Sequence, residues 1–323
     1  MLLLPLVASA ADKVIFDTDC GFFGDDGDAL VMVLRSPEKV QLAAITTVSG
    51  NVWAAESATY VGEILHLLGH SAIQPYIGAQ MPLVHTAAMA KLEGPLEFEG
   101  AFDRLEKLAL PNRPSAIEAL AAAIRQHPGQ VTILALGPMT NLAMLFRLDP
   151  DLAPKVKRLV FMGGNVHVPG NASPAAEFNF WFDPEAAQVV LRSRIPQKVM
   201  FPLDICNHAV LDNKRFDEIV AAGTPITERF KQDYGLRYPA FLKNPKATGY
   251  LWDELAAAWL LDTGFATRSE TSWLDVDTRF GKTYGATVPL DRTLAPEATP
   301  VRVMLDLDYP RLWALYKRLL TAR

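Results

Sequence analysis

Five carboxylates fall within the twelve residues from Asp17 to Asp28, in the order Asp17-Thr18-Asp19-Cys20-Gly21-Phe22-Phe23-Gly24-Asp25-Asp26-Gly27-Asp28. Carboxylates held this close raise one another's pKa, so such a cluster persists in a fold only where a cation or protons neutralise it. A hard cation suits the residue types. Ca²⁺ takes about six to eight oxygen ligands and tolerates mixed shells of carboxylate, carbonyl and water. The plainer alternative is a solvated acidic loop. Against it stand the flanks: Val14-Ile15-Phe16 reads as an apolar strand, glycines punctuate the loop, and Ala29 to Leu34 continue as a helix. Charge then sits at a strand's carboxyl end, where open α/β sheets bind ligands.

Two further stretches carry chemistry. Between Gly170 and Pro184, Asn171, Glu177 and Asn179 offer the amide and carboxylate groups that fix neighbouring hydroxyls, while Phe178, Phe180, Trp181 and Phe182 supply an apolar wall. A sugar carrying a flat leaving group would suit both, and a surface loop with stray polar residues is the alternative. Later, Tyr250-Leu251-Trp252-Asp253-Glu254 leads into the apolar run Leu255 to Leu261. Taken alone, an acid there reads as a helix N-cap.

The elements that must position these groups follow from periodicity. Gln41 to Val48 predicts a second strand closed by Ser49-Gly50-Asn51, and Ala54 to Leu68 a helix with Val61, Ile64, Leu65 and Leu68 on one face. Ser115 and Glu118 form a capping box that opens the next helix. Val131 to Leu136, Lys157 to Met162 and Lys198 to Leu203 read as buried strands, and Asp183-Pro184 starts a helix through Leu191. Alternation of strands and helices predicts an open, mostly parallel, doubly wound α/β sheet with helices on both faces. Asp19, Asn51, Gly137, Gly163-Gly164 and Asp204 each follow a predicted strand, so one edge of that sheet collects the polar residues. Beyond about Ser272 the pattern turns to small extra strands, including Val301 to Leu307, and a terminal helix from Tyr309.

Composition narrows the classes. Half of the 323 residues are hydrophobic and 21% charged, enough for a large core and too apolar for disorder. The net charge of −5, without a Lys/Arg-rich run, argues against a nucleic-acid partner. Met1 to Ala11 form an apolar run ending in Ala-Ser-Ala-Ala, which matches a secretory signal lacking its positive amino-terminal region. Residues 1–11 are therefore expected to be a leader, either truncated at its start or atypical, and 12–323 one catalytic domain in the periplasm or outside the cell. No later segment is apolar and long enough to span a membrane, so no membrane association is expected of the mature form. Cys20 and Cys206 read as free thiols.

Taken as a set and in order, the Asp-x-Asp with a later Asp-Asp, Leu136-Gly137-Pro138-Met139-Thr140-Asn141-Leu142-Ala143, Pro174-Ala175-Ala176-Glu177-Phe178-Asn179 with Asp183-Pro184-Glu185-Ala186-Ala187, and the late Asp253 resemble the inosine–uridine-preferring nucleoside hydrolase family. The resemblance runs from about Lys13 to Asp262. It implies an open α/β sheet, a bound Ca²⁺ and hydrolysis of the N-glycosidic bond of ribonucleosides, with a homo-oligomer, dimer or tetramer. By the same resemblance Asp19 and Asp26 would be metal ligands, with the Leu136 carbonyl and Asp253. Asp25, Asn51, Asn171, Glu177 and Asn179 would hold the ribose, with Met162 packed beside it. Asp19 would act as general base.

Two departures shape the expectation. Cys20 to Gly24 lengthen the acidic loop relative to the family's shorter form. Trp252 stands where many members have a histidine that serves as acid for the leaving base, and tryptophan donates no proton at neutral pH. Members with Trp there resemble purine-preferring enzymes that activate the base by stacking, so purine nucleosides are expected to be favoured. Phe178, Trp181, Tyr234 and Tyr238 are candidates for the base pocket. His85, His167 and His208 are candidates for a substitute acid. A non-catalytic nucleoside-binding protein is the competing function, and an Asp-x-Asp metal-dependent phosphatase fits the motif set less well.

Overall fold

The computed structural model describes residues 11–93 and 115–323, so the expected leader, apart from Ala11, lies outside the described residues. The strands are β1 (Asp12–Thr18), β2 (Val40–Thr47), β3 (Tyr76–Ile77), β4 (Val131–Ala135), β5 (Arg158–Met162), β6 (Lys198–Phe201), β7 (Val210–Asp212), β8 (Thr248–Tyr250), β9 (Ala266–Ser272), β10 (Leu274–Val276), β11 (Thr287–Pro289) and β12 (Val301–Leu307). Among the described residues, eight of them form the central sheet in the order β3-β2-β1-β4-β5-β6-β12-β9. Neighbours run parallel except β12 and β9, which are antiparallel.

The continuous apolar runs arise because both faces of the sheet are covered. Val14, Phe16, Leu134 and Val160 belong to one buried cluster, and the alternate residues Ile15, Ile133, Leu159 and Phe161 to another, as the two-residue period of a strand requires. Helices Asp26–Leu34, Ala54–Leu67, Asp253–Leu261 and Tyr309–Thr321 contribute to the first cluster. Ala116–Gln126, Thr140–Leu148 and Pro184–Leu191 contribute to the second. The predicted capping box is present: Glu118 N donates to Ser115 Oγ at 3.3 Å and Ser115 N to Glu118 Oε2 at 2.7 Å. Asp183 caps its helix through Ala186 N at 3.0 Å. Leu68, expected on the buried face of its helix, is instead the half-buried C-cap.

The order of strands reverses between β1 and β4, which opens a crevice at their carboxyl ends. Helix Asp26–Leu34 packs directly on helix Asp253–Leu261. That contact brings two distant acidic segments together. Two features differ from the expectation drawn from periodicity. β7 and β8 pair antiparallel and deliver the chain to Trp252. β9 begins at Ala266, ahead of the expected change near Ser272, and its exposed residues suit an edge strand. β10 and β11 form a small antiparallel ribbon towards the carboxyl end, as expected in kind. Among the described residues no helix is long and apolar enough to cross a membrane.

Candidate active site

A cleft at the carboxyl ends of β1, β4 and β5 is lined by Asp25, Asn51, Leu136, Met162, Asn171, Glu177, Phe178, Asn179, Arg237, Tyr238, Trp252 and Asp253. Of the residues expected to hold the metal or the ribose, and of Phe178 and Trp252, all are on its wall except Asp19 and Asp26, which are buried beneath it. One carboxylate oxygen from each of Asp25, Asp26 and Asp253 lies within 4.8 Å of the others. Asp19 is not one of that trio. Its Oδ2 accepts the main-chain N–H of Asn51 at 2.6 Å, and it is wedged between Gly50 and Gly137, where an added Cβ would stand 2.0 Å and 2.7 Å from its oxygens.

The trio is built by two chain segments. Thr18 donates its hydroxyl to Asp26 Oδ1, and Asp253 N donates to Asp25 Oδ1 at 3.1 Å. Desolvation, then repulsion from Asp26, pushes Asp25 up to about 7. Asp253 and Asp19 are pushed well above the ordinary carboxylate range, first by burial and then by the neighbouring carboxylates. Asp26 is raised by burial against the opposing help of Thr18. Asp19 Oδ1, Asp26 Oδ2 and Asp253 Oδ1 are buried and find no hydrogen-bond partner among the described residues. Orphaned, mutually repelling oxygens of this kind fit a hard divalent cation.

The lining also holds polar groups anchored to main chain. Glu177 caps the short helix Phe178–Phe182: Oε1 accepts from Asn179 N at 2.9 Å, and Oε2 from Gly164 N at 2.7 Å and Phe180 N at 3.2 Å. Burial raises its pKa against those three donors. Asn179 Nδ2 reaches the Leu136 carbonyl at 2.9 Å and the Met162 carbonyl at 3.3 Å, tying β4 and β5 to this lining. Asn171 Oδ1 accepts from Phe178 N at 2.9 Å.

Aromatic residues divide into lining and core. Phe178, Tyr238 and Trp252 face the cleft. Trp181 and Tyr234, also candidates for the base pocket, are buried behind it: the indole N–H of Trp181 donates to Glu93 at 2.5 Å, and Tyr234 packs with Phe22, Phe216, Phe230 and Phe241. None of the three candidate histidines lines the cleft. His85 is buried against the Trp181 carbonyl, and His167 and His208 are paired on the surface with Glu270 and Asp306. Cys20 and Cys206 are both free and buried.

Sequence reasoning gave no individual role to four residues in or beside the site. Arg237 lines the cleft with its guanidinium 4.5 Å above the Phe22 ring; its only signal was its place beside Tyr238. Asp233 Oδ2 accepts from Phe23 N at 2.9 Å and anchors the lengthened part of the acidic loop. Asp17, the first acid of the motif, is turned away into a network with Thr46 and Asn141. Glu254 bridges the acidic loop and Trp252.

Comparison with known proteins agrees with this architecture. Residues 14–314 match the family profile described as inosine-uridine preferring nucleoside hydrolase. A protein of Citrobacter koseri named pyrimidine-specific ribonucleoside hydrolase RihA is 35% identical over 304 residues, covering 91% of this chain and 93% of that protein. A solved plant nucleoside hydrolase, the PpNRh1 enzyme, superposes with a TM-score of 0.76 at 25% identity, over 97% of this chain and 99% of its own. The purine-preferring ribonucleoside hydrolase from Gardnerella vaginalis shares the fold, with a TM-score of 0.75 at 24% identity over 96% of this chain and 98% of its own. The chain belongs to the inosine-uridine preferring nucleoside hydrolase family, and is a hydrolase acting on N-glycosyl compounds with a small-molecule nucleoside as substrate.

Proposed function

We propose that the protein is a Ca²⁺-dependent ribonucleoside hydrolase that releases ribose and the free base, favouring purines. The observation that carries this reading is the meeting of two sets of groups in one cleft: Asp25 and Asp253, clustered with the buried Asp26, and Glu177, Asn179 and Asn171 in the same lining. Asp19, Asp26, Asp253 and the Leu136 carbonyl would hold the cation, with Asp25 close enough to share it. Bound there, Ca²⁺ supplies the charge that keeps these carboxylates ionised and lowers the pKa of adjacent water.

The remaining work falls to the chain. Asp19, fixed through Oδ2, keeps Oδ1 for the proton of an attacking water and acts as general base. Asp25, Asn51, Asn171, Glu177 and Asn179 orient the ribose hydroxyls, and Met162 packs beside the ring, which lowers the entropic part of the barrier. The oxocarbenium-like charge that develops at the anomeric carbon is stabilised by the surrounding carboxylates. Trp252, with Phe178 and Tyr238, holds the base by stacking and favours its protonation from solvent.

Base preference is where a second reading has support, because the 35%-identical relative is named pyrimidine-specific. A panel of purine and pyrimidine nucleosides, assayed for reducing-sugar release with and without chelator, decides both points. Ribose release from inosine or guanosine, abolished by chelation and restored by Ca²⁺, is the expected result. A nucleoside bound but not cleaved would favour the non-catalytic alternative, and phosphate released from a nucleotide with the base retained would favour a phosphatase. We further propose export through the amino-terminal apolar run and assembly as a dimer or tetramer. An exported chain beginning near Ala11 or Asp12 by mass spectrometry, and light scattering of the purified protein, test these.

A further inference from the structure

Among the described residues, Asp25 is the one non-glycine residue with positive φ, at φ 56° and ψ −117°. Gly24 O accepts from Gly27 N at 3.0 Å and closes a four-residue turn around it. At the first central position those angles are the ones of a type II′ turn, a place glycine usually takes. A side chain in that conformation is strained, and it persists only where its surroundings over-determine it.

The surroundings come from 229 positions along the chain. Asp25 N donates to Glu254 Oε1 at 3.1 Å, Trp252 N donates to Glu254 Oε2 at 2.9 Å, and Asp253 N donates to Asp25 Oδ1 at 3.1 Å. On its other side the Asp25 carbonyl accepts from Ala29 N at 2.9 Å. Main chain and side chains thus close a ring through Asp25, Asp253 and Glu254. Glu254 is buried, does not line the cleft, and spends both oxygens on main-chain donors. Its carboxylate holds main chain on both sides of the acidic cluster.

We infer that Glu254 is a positioning residue that keeps Asp25 in its strained turn and sets the Asp25 carboxylate, Asp253 and Trp252 in register with one another. The inference rests on the reading of the cleft as a ribonucleoside site, in which Asp25 meets a ribose hydroxyl. It follows from the geometry that length and acceptor character both matter. Glu254→Gln keeps the length but turns an NH₂ group towards one of the two N–H donors. Glu254→Asp is one methylene shorter and cannot reach both.

The test compares a ribonucleoside with its 2′-, 3′- and 5′-deoxy analogues, one of which lacks the hydroxyl that Asp25 meets, and measures Ca²⁺ binding to the metal-stripped protein by calorimetry. A merely structural loss lowers turnover of all these substrates alike. A displaced Asp25 lowers the preference for the ribonucleoside over that one analogue, because the contact it loses is one the analogue never makes. Glu254→Gln should fold, reduce that ribo-to-deoxy preference about tenfold through KM, and weaken Ca²⁺ binding about tenfold, the scale of one charge-assisted hydrogen bond. Glu254→Asp should lose more of both. Wild-type preference over all three analogues and wild-type Ca²⁺ affinity in Glu254→Gln would overturn the inference, as would an equal loss on every substrate with unchanged Ca²⁺ affinity. If the unmodified protein cleaves no nucleoside, the proposed function fails, and the Ca²⁺ titration still decides whether Glu254 positions the cluster.

Discussion

Asn51 donates its main-chain N–H to Asp19 Oδ2 at 2.6 Å, while Oδ1 of the same carboxylate has no hydrogen-bond partner among the described residues. One oxygen is fixed and the other has no hydrogen-bond partner, the arrangement that the general base proposed for this site would use. The fixing is steric as well as polar, since glycine flanks the carboxylate after both β2 and β4.

Gly50→Ala tests that fit. The added Cβ would meet Asp19 Oδ2 at 2.0 Å and Pro138 Cδ at 2.8 Å, so the carboxylate has to move. A shift of about 1 Å in a reacting group costs on the order of 100-fold in rate. The loss should appear in kcat, with about 1–3 kcal/mol of stability lost in urea unfolding from the overpacking. A folded Gly50→Ala protein with wild-type kcat would show that Asp19 does not act from this position.

Cation removal should make stability fall with pH. Burial pushes Asp17 up to about 6, and Asp25 and Asp28 up to about 7, from an ordinary 3.8. A carboxyl whose folded pKa exceeds its unfolded value favours the fold while protonated; that contribution is full below about pH 4 and disappears as pH rises through 6 to 7. Chelated protein should therefore melt at lower temperature at about pH 8 than at about pH 5, and Ca²⁺ should raise the melting temperature more at the higher pH. A pH-independent response to Ca²⁺ would place the cation away from these carboxylates.

Asn179 links the ends of the two central strands to the lining of the cleft through the carbonyls of Leu136 and Met162. Asn179→Asp replaces the donor with an acceptor facing two carbonyls. The expected cost is about 1–3 kcal/mol in urea unfolding, with a raised KM for ribonucleosides. Unchanged stability would mean that the strand ends are held by their ladders alone.

Much of this arrangement is legible in the sequence because it follows from local pattern. A buried strand followed by glycine or a short polar residue, repeated at Asp19, Asn51, Gly137 and Gly163, places each of them at one sheet edge. What periodicity does not encode is pairing at a distance. An acid after Trp252 reads as a cap or a ligand, yet Glu254 reaches across to Asp25 N. Tyr234 and Tyr238 are four apart and pack on one another with ring centroids 5.4 Å apart, yet Tyr238, the C-cap beyond Arg237, also lines the cleft while Tyr234 stays in the core, a division that spacing does not encode. Trp181 was equally plausible as a wall of the site, and is instead part of a buried cluster with Phe178 and Phe182. β7 and β8 are three residues each, too short for a two-residue period to register.

In the proposed function, Trp252 is the residue that bears on how the base would leave. It sits half-buried at the N-cap of helix Asp253–Leu261, with Tyr250 tilted behind it at 6.1 Å and its main chain held by Glu254. None of the histidines considered as acids lines the cleft, so protonation of the base has to come by another route. If stacking on Trp252 promotes it, a purine with its larger face and a basic N7 should gain more than uridine, whose ring offers neither. Trp252→Ala should then lower kcat/KM on inosine or guanosine by at least about tenfold more than on p-nitrophenyl riboside, whose leaving group needs no proton. That contrast separates activation of the base from placement of the sugar, because misplacement of the sugar penalises both substrates. Equal losses on the two substrates, or uridine as the best natural substrate of the unmodified protein, would remove the stacking account. The cleft residues Arg237 and Tyr238 would then be the first to test as the source of base activation.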